Sequence, residues 1–216
     1  MRLVLVRHAE SQHSQRGVIG GARGCTGLTD HGRQQALTLA NRLATTGELG
    51  PSPTLLTSPW PRARQTAEIV TQTLPIGAIT EVPELRELDP GAADGLSWAD
   101  YRARFGGFDL QAQPDRPFAP GGKSWTVYTA RVEAALLDLA GRFDGRTVLA
   151  ITHAGFIVVA CLALFDALVD RPRRRVWLEP THTALTEWRV TGATWRLVRY
   201  NDAGHLDSLT HVVSHD

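Results

Sequence analysis

The chain has 216 residues, 43% of them hydrophobic and 21% charged, proportions that suit one soluble α/β domain with a sizeable core. A formal net charge of +1 gives no electrostatic reason to expect nucleic acid or an anionic membrane as partner, and no apolar stretch reaches spanning length. Charge interrupts the first apolar run too early for a secretory signal, and Cys25 and Cys161 match no zinc or redox spacing, so a cytoplasmic setting is expected.

In chain order, strand-like and helix-like segments alternate. The run Leu3-Val4-Leu5-Val6 reads as a buried strand that ends in Arg7-His8. A Gly-rich loop follows through Gly27, Thr29-Asp30-His31-Gly32 reads as a cap, and residues 33–43 as a helix. Pro51-Ser52-Pro53 introduces a short strand at 54–57, and Pro59 and Pro61 precede a helix carrying Ala63, Ala67, Ile69, Val70 and Leu74. Residues 79–82 form a weak strand. Residues 86–121 make an irregular excursion rich in Gly, Pro and aromatics, with a short helix at 98–105; a connection of that length is expected to be a lid or binding loop. A helix at 124–143, a buried strand at 147–151 and an apolar helix at 155–168 follow. Strands at 184–190 and 195–201 flank Thr191-Gly192-Ala193 as an antiparallel hairpin, and the polar tail from Asp202 is expected to be loose. The pattern predicts a three-layer α/β/α sandwich in one domain over 1–216. Its central sheet is mainly parallel, with helices on both faces and an antiparallel C-terminal edge.

The strand ends carry the chemistry. The first delivers Arg7 and His8, the second Ser58 with Arg62 at the start of its helix, and the strand at 147–151 delivers Thr152-His153-Ala154-Gly155. Parallel strands bring these ends to one sheet edge beside helix N-termini. Two guanidinium forks and two imidazoles there suit a phosphate dianion, and a central His can accept a phosphoryl group on a ring nitrogen. Singly, Arg62 reads as a helix cap and His153 as a core histidine; their joint placement favours a site.

Five segments then carry a family resemblance: Val6-Arg7-His8-Ala9-Glu10-Ser11, Leu28-Thr29-Asp30-His31-Gly32-Arg33-Gln34-Gln35-Ala36, Ser58-Pro59-Trp60-Pro61-Arg62-Ala63-Arg64-Gln65-Thr66-Ala67, Leu85-Arg86-Glu87 ahead of Gly91 and Gly95, and Thr152-His153-Ala154-Gly155. In this order they resemble the signatures of the histidine phosphatase superfamily, which includes cofactor-dependent phosphoglycerate mutases and many small-molecule phosphatases. The resemblance implies that His8 becomes a phosphohistidine while Arg7, Arg62 and His153 hold the phosphoryl oxygens. Glu87 would serve as acid and then base, with Glu84 and Asp89 as nearby rivals. Ser14 stands where the signature usually has Asn and would donate its hydroxyl to the phosphate. No metal and no cofactor are implied. The chain departs from the family at Ala93-Asp94-Gly95, where an aromatic-Glu-Gly is usual, and at Lys123, where Glu is common. Lys123 reads either as a rim cation for an extra carboxylate or phosphate, or as a solvated first-turn residue.

The expected function is therefore hydrolysis of a small-molecule phosphomonoester by a monomer or homodimer. Mutase-type transfer is the main alternative, less favoured because the family's mutases are longer, with extra lid sequence. A binding module that keeps the anion pocket without turnover is a second. Gly122-Lys123-Ser124 fails as a P-loop because Pro117 stands where its earlier Gly is required, and residues 21–27 lack dinucleotide-loop spacing. Trp98, Tyr101, Phe105, Phe108, Phe118 and Trp125 form either an apolar wall beyond the phosphate or the core of the lid. Arg171 to Arg175 reads as a solvated loop. The tail histidines His205, His211 and His215 show no metal-ligand spacing.

Overall fold

The computed structural model describes residues 1–107, 109, 112–165 and 178–210. Six strands and seven α-helices are present among them: β1 (Arg2–Arg7), α1 (Gln12–Gln15), α2 (Asp30–Thr46), β2 (Thr54–Thr57), α3 (Pro61–Thr71), β3 (Ile79–Glu81), α4 (Trp98–Phe105), α5 (Trp125–Arg142), β4 (Thr147–Thr152), α6 (Ala154–Leu164), β5 (Leu185–Thr191), β6 (Thr194–Asp202) and α7 (Asp207–Thr210). The strands make one sheet in the order β3-β2-β4-β1-β5-β6. β3, β2, β4 and β1 run parallel, and β5 and β6 complete the sheet as an antiparallel edge.

β1 lies between β4 and β5, which explains its unbroken aliphatic run: Leu3, Val4, Leu5 and Val6 are all fully buried. Alternate residues face opposite layers. Leu3, Leu5, Val148 and Ala150 pack with Val132, Leu136 and Leu139 of α5 and Phe156, Val159 and Ala160 of α6. Val4, Val6, Leu149 and Ile151 pack with Leu39 and Leu43 of α2 and Ala63, Ala67 and Val70 of α3. Both sheet faces thus carry helices.

Several boundaries shift from the sequence reading for local reasons. α2 starts at Asp30 because the Thr29 hydroxyl caps it, accepting from Gly32 N, and it runs to Thr46 because Gly47 is the residue that turns left-handed (φ 60°). The hairpin loop is two residues, not three: Thr191 still pairs with Thr194, and Gly192 supplies the positive φ. The Gly-rich loop after Arg7 contains the short helix α1. α6 is described to Leu164; its expected extension over 166–168 lies outside the described residues, as do Arg171 to Arg175.

The expected loose tail is corrected for Asp202 and His205. Asp202 is held by both terminal nitrogens of Arg42, at 2.8 and 2.6 Å, and by Arg199 at 3.0 Å. His205 is buried, with Nε2 2.9 Å from Thr183 Oγ1. Paired charge holds the tail where it begins, at Asp202. His211 and His215 lie outside the described residues.

In the excursion Ala93, Tyr101, Phe118 and Ala119 form a separate apolar cluster with Ile19 of the loop after β1. Tyr101 stacks on Phe118 with centroids 4.5 Å apart, and its hydroxyl donates to Phe118 O. A Cβ on Gly91 would stand 2.1 Å from Gly122 N, so only glycine lets these two loop segments meet.

Candidate active site

The register aligns the ends of β1, β4 and β2: Arg7 pairs with Thr152, and Thr57 with Ile151. Ladder bonding continues past the strands, with His8 N donating to Thr152 O at 2.8 Å and Ser58 N to Ile151 O at 2.9 Å. His8 is thereby fixed by main chain at the edge where α3 and α6 begin. Arg62 sits in the first turn of α3 behind Pro61 at N1, and His153 is the N-cap residue of α6.

His8 Nδ1 lies 2.7 Å from Ala9 O, and Arg62 Nε donates to His8 Nε2 at 3.0 Å. A carbonyl only accepts and the guanidinium only donates. Nδ1 therefore carries the ring proton, and Nε2 offers its lone pair. Burial first, then the charges of Arg62, His153, Arg7 and His182, hold His8 well below the usual imidazole range. The result is a neutral ring with a nucleophilic nitrogen beside a cation.

Buried donors crowd this nitrogen. Arg7 Nε, Arg62 Nη1, His153 Nδ1 and His182 Nε2 have no hydrogen-bond partner in the protein. Each such group costs about 1–3 kcal/mol when it is left unpaired. The His8 ring centroid is 5.1 Å from that of His153 and 5.8 Å from that of His182. Arg7 Nη1 donates to Pro180 O at 2.6 Å, and His153 Nε2 meets Ser58 Oγ at 2.8 Å, which orients both side chains. The Arg62 guanidinium lies 4.7 Å over the Trp60 ring. Burial pulls Arg62 below its ordinary value, against contact with Cys25 and the charges of Glu87 and Asp94. A tetrahedral dianion is the ligand class that fits such a set of donors.

Of the three carboxylates considered for proton transfer, only Glu87 lines the cavity that contains His8. Its Oε1 accepts from Tyr128 Oη at 2.6 Å and Leu88 N at 3.0 Å, and its Oε2 accepts from Gly155 N at 2.8 Å. Glu84 is exposed, and Asp89 is exposed with Oδ1 accepting from Gly91 N. Ser14 lines the cavity, but its hydroxyl donates to Ser11 O at 2.8 Å, so its one proton is already committed within its own turn. Lys123 lines a neighbouring cavity with Asp89 and Arg131, not the one containing His8.

His13, His182 and Tyr128 also belong to this region, and sequence reasoning missed them. Burial, Arg62 and Arg7 push His13 down to about 4, and burial and Arg7 push His182 down to about 3. His182 is delivered by the turn before β5, where Thr183 is left-handed (φ 59°) and its N–H donates to Arg7 O. No periodic pattern marks such a residue. Tyr128 reads as one more apolar position of α5. Among the described residues, no group of three or more His, Cys, Asp or Glu is placed to hold a metal ion, and no helix is long and apolar enough to cross a membrane.

Among known proteins, a metal-independent phosphoserine phosphatase of Arabidopsis thaliana is 26% identical over 215 residues, covering 96% of this chain and 84% of that protein. A protein of Enterobacter sp. named as a probable phosphoglycerate mutase is 28% identical over 217 residues, covering 96% of each. The solved structure of YhfR from Bacillus stearothermophilus superimposes with a TM-score of 0.79 at 28% identity, covering 95% of this chain and 98% of that one. The chain spans 55% of the length of its mycobacterial relatives. The family model of the histidine phosphatase superfamily (branch 1) matches residues 3–203, and with that match the chain belongs to this family, whose chemistry is that of a phosphatase.

Proposed function

We propose that the protein is a metal-independent phosphomonoesterase that hydrolyses a small phosphorylated metabolite through a phosphohistidine at His8. The observation that carries this reading is the His8 ring: its proton is tied to Ala9 O, and its Nε2 lies in a cluster of buried guanidinium and imidazole nitrogens, four of them unpartnered. Nε2 attacks phosphorus as the ester P–O bond breaks. Arg7, Arg62 and His153 take the phosphoryl oxygens, with Arg62 Nε passing from Nε2 to an oxygen as the new P–N bond forms. The carboxyl of Glu87 gives its proton to the leaving alkoxide. As carboxylate it then takes a proton from the water that attacks the phosphohistidine, so the P–N bond breaks, inorganic phosphate leaves and Glu87 is protonated again. Charge stabilisation comes from the guanidinium and imidazole groups.

The relative named for phosphoserine hydrolysis supports hydrolysis, and the relative named as a probable phosphoglycerate mutase makes mutase-type transfer the alternative. Within this proposal the excursion at 86–121 acts as the lid, since Leu88, Pro90, Trp98, Tyr101 and Phe118 line the same cavity as His8. A cytoplasmic setting fits the free thiols of Cys25 and Cys161. The test is phosphate release from a panel of phosphorylated metabolites, with a second phosphorylated acceptor present. Stoichiometric inorganic phosphate supports the proposal. Transfer to the acceptor without release would make the protein a mutase, and tight binding with neither would make it a binding module.

A further inference from the structure

The cavity around His8 is much larger than a phosphate. Its volume is about 600 Å³, and it continues outward from the nucleophile between Val18, Ile19, Leu88, Trp98, Phe118 and Trp125. Among the described residues, Arg102 is the only charged side chain lining it apart from the phosphate cluster, His13 and Glu87. Glu87 is thus the one carboxylate that these residues bring to the cavity, and three donors already occupy it. The ammonium of a phosphorylated amino acid would find no free anion among the described residues that line the cavity, and desolvating it unpaired is costly.

The wall is also preformed. Trp98 remains 46% exposed although its ring stands edge-on against Tyr101 and Phe118, with centroids 6.0 and 6.1 Å away. Phe118 and Ile19 belong to the cluster closed by the Tyr101 hydroxyl bond to Phe118 O. A large aromatic held rigid yet left exposed beside a catalytic nucleophile is a stacking surface with little ordering cost.

We propose that the alcohol part of the substrate is an aromatic, uncharged group seated on Trp98, Phe118 and Ile19, and that phosphorylated amino acids are poor substrates. This rests on the phosphatase reading above. The test compares 2-phenylethyl phosphate, ethyl phosphate and O-phospho-L-serine, all of which leave as primary alkoxides, so that the seat and not the leaving group sets the order. The expected kcat/KM for 2-phenylethyl phosphate exceeds that for ethyl phosphate by on the order of tenfold or more, the worth of a buried phenyl ring, with phosphoserine no better than ethyl phosphate. Trp98→Ala should cut the phenylethyl-to-ethyl ratio by about tenfold. Phosphoserine turned over as well as 2-phenylethyl phosphate, or an unchanged ratio in Trp98→Ala, overturns the proposal. Calorimetric binding of the same three esters to His8→Ala should give the same order without turnover. Preferential phenylethyl binding by a protein that hydrolyses none of them would sink the phosphatase reading and uphold the seat; efficient phosphoserine hydrolysis would do the reverse.

Discussion

The Tyr128 hydroxyl, carried on a helix of the core, donates to Glu87 Oε1 across 2.6 Å and so reaches the proposed acid of the reaction from behind. Tyr128 is buried and its phenol is pushed well above its ordinary range, first by burial and then by the Glu87 charge, so it remains a donor at working pH. Tyr128→Phe should remove one of the three donors that hold the Glu87 carboxyl in place and slow alkyl phosphates more than nitrophenyl phosphate, changing the ratio by on the order of tenfold. Rates on the two esters check this; an unchanged ratio would reduce Tyr128 to a packing residue.

Glu87 itself separates from the anion-holders by leaving group. Glu87→Gln should slow alkyl phosphates by roughly 10²–10⁴-fold, because a poor leaving alkoxide needs its proton, and should slow nitrophenyl phosphate far less. Arg62→Ala should hurt both alike, since the transferred phosphoryl group is the same. Glu84→Gln and Asp89→Asn should stay near the parent rate, because neither side chain lines the cavity of His8. Equal losses for the two ester classes in Glu87→Gln would remove it as the acid.

The edge of the sheet was legible because burial writes itself into composition. Leu3 to Val6 and Val148 to Ile151 are aliphatic since both sheet faces are covered, and the residues just past such a run land at a strand end. Arg7, His8 and Arg62 were readable in this way, Glu87 came only through the family resemblance, and all four line one cavity. His153 was readable too, and stands beside His8. His182 was not, because it arrives on a turn that hinges on a left-handed Thr183, and turns leave no periodicity. Tyr128 was hidden for the opposite reason: its ring fits the apolar face of α5 so well that its hydroxyl carries no separate signal. Ser14 and Lys123 show the limit of reading a side chain from its type. One spends its hydroxyl proton on Ser11 O, and the other lines the neighbouring cavity.

Gly155 gives a second route to Glu87 that leaves the carboxyl intact. A Cβ there would lie 2.2 Å from Glu87 Oε1, the far end of a side chain that can swing away without moving backbone. Gly155→Ala should fold normally, displace the carboxylate and reproduce the Glu87→Gln selectivity between alkyl and nitrophenyl esters. Parent-like rates on alkyl phosphates would show that the position of Glu87 relative to α6 does not matter.

The nucleophile is tested at His8. His8→Ala should abolish phosphate release while leaving the fold intact. In the parent protein, activity should survive a chelator and be blocked by vanadate, which mimics pentacoordinate phosphorus. Acid-quenched parent enzyme should carry an acid-labile phosphoryl group that His8→Ala lacks. A divalent-metal requirement would transfer the charge stabilisation assigned to Arg7 and Arg62 to the metal, and the mechanism would fail.

The buried imidazoles also predict how stability depends on pH. His13, His182 and His205 sit at about 4, 3 and 4 against an ordinary 6.5, with burial the largest cause in each. Between these values and 6.5 the unfolded chain binds more protons than the folded one. Stability is therefore full above about 6.5 and is lost as pH falls towards 4. A second loss comes below about 4, where the carboxylates of Glu187 and Asp202 take up protons in the unfolded chain while Glu187, held down by Arg2, and Asp202, held down by Arg42, stay ionised in the fold. Thermal melts across this range should show a plateau above neutrality, a first decline below about 6.5 and a steeper one below about 4. His13→Asn with His182→Asn should make the first decline shallower, leaving the share of His8, His153 and His205, and spare the second. Vanadate should raise the melting temperature at neutral pH by filling the donor cluster. Because its charge offsets the cations beside His13 and His182, it should also shrink the first decline. A first decline of the same depth in the double variant would mean that the acid sensitivity arises from the other depressed imidazoles, His8, His153 and His205.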